Sequence, residues 1–171
     1  FALELDDAAN VSFSCVTNKQ DLIGTIVRAV AGPISVRDWH FYTATFDGSY
    51  VRLYVDGVLK DQKPTLGPLV SSSTVMLVGA DVRSTVLKGW FNGDIAEVSY
   101  WNTARTREEI MEEYYQSLKG DEDGLIGFWR MEKVDGGASS TVKDLTSKAG
   151  DGVVKGEPTD ATITTLRERS V

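Results

Sequence analysis

The side chains able to do chemistry fall into a few small groups, and residue type and spacing set what each can do. Glu4 and Asp6 lie two residues apart, so on a strand they share a face. Two carboxyls about 5 Å apart can divide the roles of nucleophile and acid at a glycosidic bond. At the end of a short alternating segment the pair reads as a solvated strand end. Asp121, Glu122 and Asp123 occupy a glycine-bounded turn and read as a solvated loop rather than a metal cage. His40 is the sole histidine, set between Trp39 and Phe41, with no serine on a nucleophile turn to complete a triad. Cys15 is the sole cysteine; it has no flanking base and reads as a small half-buried strand residue. Trp90, Phe91, Tyr100 and Trp101, with Asn92 and Asp94 among them, are the types that hold a sugar, apolar face on ring and hydroxyls on amide or carboxylate. Trp90, on a loop beside Asn92, is the aromatic to test for ligand contact.

Those residues must be positioned by strands. Phe1–Leu5 and Val11–Val16 alternate apolar and polar residues, with Val11, Phe13 and Cys15 on one face, and Ile23–Val30 is a less regular third strand. Trp39–Lys60 is rich in aromatic and β-branched residues. Asp47-Gly48 and Asp56-Gly57 mark two-residue turns within it, giving a three-stranded meander. Val75–Val78 is continuously apolar and predicts a central strand, Gly79–Gly89 a loop carrying Asp81, Asp94–Trp101 and Leu125–Met131 two further strands. Glu97 shares a face with Ile95 and Trp101 and is expected to be buried and hydrogen-bonded. One helix interrupts this series. Thr106 and Glu109 have capping-box spacing, Ile110, Tyr114 and Leu118 make one apolar stripe, and Gly120 is placed to end the helix. So short a helix must dock its stripe on a sheet. From residue 135 onward the sequence reads as coil with one or two short edge strands.

With 171 residues and a formal net charge of −7, the protein reads as one domain able to bury a core. Its basic residues are scattered, which argues against nucleic acid or anionic membrane as a partner; the local pair Arg105 and Arg107 reads as a solvated helix end. The single cysteine excludes an internal disulfide. No apolar run approaches the roughly 18 residues of a membrane span. The sequence opens on Phe1 rather than methionine, so a fragment or processed form is expected.

The block Trp39–Gly57 (W-H-F-Y-T-A-T-F-D-G-S-Y-V-R-L-Y-V-D-G), then V-M-L-V-G at Val75–Gly79, then F-N-G-D-I-A-E-V-S-Y-W-N-T-A-R-T-R-E-E-I at Phe91–Ile110, resembles the laminin G-like, concanavalin A-like jelly rolls and, within them, the pentraxins. The stretch Gly124–Val154 resembles a segment found near the start of such domains, whereas their usual opening strands are absent. The resemblance implies core packing for Trp39 and Trp101. It implies a calcium loop after V-M-L-V-G, where Asp81 stands alone; calcium takes about six to eight oxygen ligands, and Ala96 replaces an aspartate common in relatives. Glycosidases on this fold carry E-x-D-x-E or E-x-D-x-x-E; against that motif Glu4 and Asp6 would be followed by an acid at position 8 or 9, where Ala8 and Ala9 stand, so the resemblance implies that the third carboxylate is missing.

These readings predict an all-β, two-sheet antiparallel jelly-roll sandwich over residues 1–157 with one short helix near 107–118, and a tail or linker at 158–171. The expected function is a non-catalytic module recognising a protein or glycan partner within a larger multidomain protein, extracellular or cell-surface by the resemblance. The alternatives are a structural spacer or a glycosidase-related fold without activity. The expected ligand residues are Trp90, Asn92 and Asp94, with Asp81 as a candidate calcium ligand.

Overall fold

The computed structural model describes residues 1–19, 22–65, 67–70, 75–83, 86–88, 90–131 and 141–154; the expected tail at 158–171 lies outside them. The protein divides into two compact units, one of Phe1–Met76 with Thr103–Ser117, the other of Leu77–Asn102 with Leu118–Val171.

The first unit packs two antiparallel sheets on one core. One sheet joins β1 (Ala2–Leu5), β2 (Asn10–Lys19) and β3 (Leu22–Pro33) in that order, and the other joins β4 (Tyr42–Phe46), β5 (Tyr50–Val55) and β6 (Val58–Pro64). Alternation decides what is buried. Val11, Phe13 and Cys15 of β2 meet Val51, Leu53 and Val55 of β5, with half-buried Tyr42, Ala44 and Phe46 beside them. On β3 the inward positions are Ala29 and Ala31, paired with Phe13 and Val11; their small side chains leave room for the ring and the facing sheet.

The core stops at β6. The partners of Val51 and Leu53 on that strand are Lys63 and Asp61, so charges replace apolar residues on the inward face, a common device at sheet edges. The ladder slips between Leu53 and Tyr54, and Asp61 reaches across to accept the Val30 N–H of β3 at 2.9 Å. It also accepts Gln62 N–H at 2.8 Å and Lys63 Nζ at 3.0 Å. Partial burial would raise the Asp61 pKa, but these donors together hold it below the ordinary carboxylate value.

The two Asp-Gly turns differ. Asp56 and Gly57 both have positive φ, 52° and 74°, and form the two-residue turn expected of the type I′ geometry. The Asp56 carboxylate accepts Phe41 N–H at 2.9 Å and lies 2.8 Å from His40 Nδ1, while His40 Nε2 lies 3.0 Å from the Ser35 carbonyl. Both ring nitrogens of His40 are thus engaged within the fold. Asp47-Gly48 opens a longer connection through residues 47–49, because the Asp47 side chain itself accepts the N–H groups of Ser49 and Tyr50 at 2.8 and 2.7 Å. The Arg52 guanidinium on the same carboxylate helps hold its pKa down to about 2.

Helix α1 (Arg107–Tyr115) starts with the expected capping box: Thr106 Oγ1 accepts Glu109 N–H at 3.3 Å and Glu109 returns a carboxylate to Thr106 N–H at 2.7 Å. Arg105 pairs with Glu109 at 3.0 Å and is largely covered, rather than a solvated helix end. Ile110 is fully buried, Met111 packs over Gly57, and Tyr114 lies 6.0 Å from Phe41. The helix thus seats on the end of the meander. It ends earlier than expected, because Gln116 is extended at φ −126°, ψ 134°. Leu118 therefore leaves the stripe, and Gly120 serves another purpose: a Cβ there would lie 2.7 Å from the Leu145 carbonyl oxygen.

Three other expectations are corrected. Val75–Val78 has the composition of a central strand but forms none, and its four side chains are exposed; β propensity measures fit to a half-buried pleat, and among the described residues no strand pairs with it. Trp39, expected in the core, is 54% exposed. Glu97 is exposed rather than buried and forms an ion pair with Arg130 at 3.4 Å.

The second unit is built on β9 (Glu97–Trp101) paired with β10 (Leu125–Arg130), with two short hairpins, β7 (Asp81–Arg83) with β8 (Val86–Lys88) and β11 (Thr141–Val142) with β12 (Gly152–Val153). Its anchor is Asp144, 1% exposed. One carboxylate oxygen accepts the N–H groups of Phe128 and Thr146 at 3.1 and 3.0 Å; the other accepts those of Lys148, Ala149 and Gly150 at 3.0, 2.8 and 3.1 Å, and Thr146 Oγ1 donates to the same group. Burial alone would raise its pKa, but so many donors drive it far below the usual range. Asp144→Ala would strand these buried donors and is expected to destabilise this unit by about 3 kcal/mol or more, read as a lost or lowered melting transition. Since the folded-state value lies below the unfolded 3.8, the stabilisation is complete above that pH and drains away as pH falls below it. Wild-type melting temperature should therefore fall more steeply below pH 3.8 than that of Asp144→Asn.

Candidate functional site

The loop preceding β9 is pinned at both ends and open in the middle. Phe91 N–H donates to the Gly79 carbonyl at 2.9 Å, and Ala96 carbonyl accepts Met131 N–H at 2.8 Å. Gly79 takes φ 76°, and Ile95 lies within contact of where its Cβ would be, at 3.8 Å. The bend at Gly93 keeps Asp94–Ala96 out of the ladder, so β9 begins at Glu97, opposite Arg130, rather than at Asp94.

Trp90, just before the first pin, is 61% exposed, and Phe91, whose N–H makes that pin, 41%. The Phe91 ring lies against Gly93, where a Cβ would come within 2.9 Å of Cε1; the glycine makes room for the ring. Asn92 and Asp94 are exposed, and among the described residues neither side chain makes a hydrogen bond or ion pair. The loop therefore presents two apolar rings, one amide and one carboxylate with their polar valences open. Such a set can stack on an apolar face and satisfy hydroxyls at its rim.

The structure leaves Asp94, expected to start a strand, on the same loop as Trp90, Phe91 and Asn92, because β9 begins at Glu97. Tyr100 and Trp101 belong instead to β9, where successive side chains point to opposite faces; Tyr100 is exposed, and Trp101 Nε1 donates to Ser99 Oγ at 3.3 Å. Trp101 is half-buried. Asp81 starts β7 and pairs with Lys88, so the expected loop holds a hairpin. Among the described residues no group of three or more His, Cys, Asp or Glu is placed to hold a metal ion. Following the melting temperature in millimolar calcium tests the site that the resemblance implies at Asp81: a calcium-dependent rise would assign a metal site to this protein, and no shift would count against one.

The other candidates are committed to structure. Glu4 pairs with Arg28 at 3.3 Å. Asp6 accepts Ala8 and Asn10 N–H groups at 2.9 Å and the Asn10 amide, which lowers its pKa. Glu122 accepts Lys119 and Gly120 N–H groups at 2.6 and 2.9 Å, closing a turn. Cys15 is buried rather than half-buried, and burial pushes its thiol pKa up. Asp144, the carboxylate most perturbed, is missed by sequence reasoning as a buried group; the Asp144-x-Thr146-x-x-x-Gly150 spacing is its signal.

Residues 1–111 match the family described as the concanavalin A-like lectin/glucanase superfamily, through its laminin G-type group. The protein belongs to that superfamily. Among solved structures it is similar to a candidate carbohydrate-binding protein from Bacteroides ovatus ATCC 8483, at 14% identity and TM-score 0.61 over 89% of this protein and 54% of that one. It is also similar, more distantly, to an S-layer domain-containing protein (residues 221–444) from Clostridium thermocellum ATCC 27405, at 15% identity and TM-score 0.44 over 61% of this protein and 51% of that one. The sequence spans about half the length of both. No curated protein sequence matches it. The superfamily match covers the Trp90–Asp94 loop but stops short of β10 and the Asp144 cradle. No helix among the described residues is long and apolar enough to cross a membrane.

Proposed function

We propose that this protein is a non-catalytic recognition module that binds a glycan through the loop bearing Trp90, Phe91, Asn92 and Asp94, as part of a larger multidomain protein. The observation that carries this reading is the exposed Trp90–Phe91 pair beside an amide and a carboxylate that engage no partner among the described residues. Exposed rings next to open hydrogen-bonding groups suit an amphipathic ligand better than a purely apolar one. Membership of a superfamily that includes lectins supports it, as does the likeness to a candidate carbohydrate-binding protein. The non-catalytic part rests on Glu4 and Asp6, whose carboxylates are held by Arg28 and by a turn, with Ala8 and Ala9 where an acid would be needed.

The test is a glycan array followed by titration of the best glycan, monitored by tryptophan fluorescence. Trp90→Ala is expected to weaken binding roughly tenfold, the loss of a stacking contact of about 1.4 kcal/mol, with the melting temperature unchanged because Trp90 is largely exposed. Unaltered glycan affinity in Trp90→Ala would refute the assignment of the loop. Turnover of any β-glucan would refute the non-catalytic reading.

A further inference from the structure

The same loop carries a second property, independent of what it binds. The sequence has four asparagines, Asn10, Asn18, Asn92 and Asn102, and only Asn92 is followed by glycine. The other three are held or hindered. Asn10 donates to Asp6 at 3.0 Å and precedes the β-branched Val11 in β2, Asn18 lies within β2 before Lys19, and Asn102 precedes Thr103 and donates its N–H to the Gly124 carbonyl at 3.0 Å. Asn92 and Gly93 are exposed and outside regular structure. Among the described residues no hydrogen bond engages the Asn92 amide or the Gly93 N–H. Glycine also removes the Cβ that would crowd an approaching backbone nitrogen.

We propose that Asn92-Gly93 is a spontaneous deamidation site, and that its conversion switches off ligand binding by this loop. The Gly93 backbone nitrogen, its proton taken by hydroxide, attacks Asn92 Cγ. A bond forms between that nitrogen and Cγ, the bond from Cγ to Nδ2 breaks, and Nδ2 leaves as ammonia with a proton from water. Water then adds to one carbonyl of the five-membered succinimide, opening it to aspartate or to isoaspartate at position 92. The product exchanges a neutral amide donor for a second carboxylate two residues from Asp94. The isoaspartate form also adds a backbone atom between the Phe91 and Ala96 pins. The loss of binding rests on the glycan reading above; the deamidation does not.

Purified protein is incubated at mildly alkaline pH and 37 °C and sampled by peptide mapping and an isoaspartate assay. Conversion is expected to accumulate at Asn92 at least tenfold faster than at Asn10, Asn18 or Asn102. Gly93→Ala should slow it about tenfold, since a Cβ now shields the nitrogen; the Phe91 ring it meets is part-exposed and can turn away. No conversion at Asn92 over an interval in which urea-unfolded protein converts there, or equal rates at all four asparagines, would overturn the proposal. Glycan titration of fresh, aged and Asn92→Asp protein then tests the switch, with aged and Asn92→Asp protein expected to bind at least about tenfold more weakly than fresh. Equal affinity of all three would refute the switch. Conversion in a protein whose fresh form binds no glycan would count against the proposed function while leaving the modification site in place.

Discussion

A single buried carboxylate organises the second unit. Asp144 gathers the N–H groups of Phe128, Thr146, Lys148, Ala149 and Gly150, and so ties a segment of low apolar content to β10. Thr146 adds its hydroxyl, Trp129 donates its indole N–H to Gly150 at 3.1 Å, and Lys148 Nζ reaches the Leu125 carbonyl at 2.9 Å. A segment with so few apolar side chains cannot be held by burial alone, and donors converging on an anion replace it. From β10 the order passes to β9 through the ladder and to the loop through the Met131–Ala96 bond. The candidate site therefore depends on a residue well outside its own loop.

The first unit is held differently. Its core is made by alternation between two sheets, and its limits are set where alternation delivers the wrong residue type. Lys63 and Asp61 fall where β6 should contribute to the core, so the sandwich closes there with a carboxylate across to Val30 rather than with more side-chain packing. Ala29 and Ala31 make the opposite contribution, since their smallness lets Phe13 occupy the space between the sheets. Edge and centre are thus both readable as consequences of a two-residue period.

What could be read from the sequence follows the range of the interactions involved. Alternation along β2 and β5, the Asp56-Gly57 turn and the Thr106–Glu109 capping box are local, and all appear in the structure as their spacing predicts. Trp90, Asn92 and Asp94 are near neighbours in sequence, yet the loop runs on past Asp94, where alternation alone would start the strand. Val75–Val78 fails because a strand also needs a partner, which composition does not supply. Trp39 and Glu97 fail because burial is set by what lies opposite, not by residue type. The end of α1 fails in a more specific way: Gly120 resembles a helix terminator, yet its missing side group admits the Leu145 carbonyl from well beyond it in sequence. Asp144 is legible as a spacing but not as a buried anion, since its donors come from both β10 and the segment after it.

Cys15 has a consequence of its own. It is the only thiol in the protein, it lies between the two sheets of the first unit at 1% exposure, and burial keeps it in the unreactive protonated form. A thiol reagent can reach it only in the fraction of time the sheets stand apart. The protein thus contains a built-in clock for the breathing of one unit, blind to the other, and its alkylation rate measures how often that core opens.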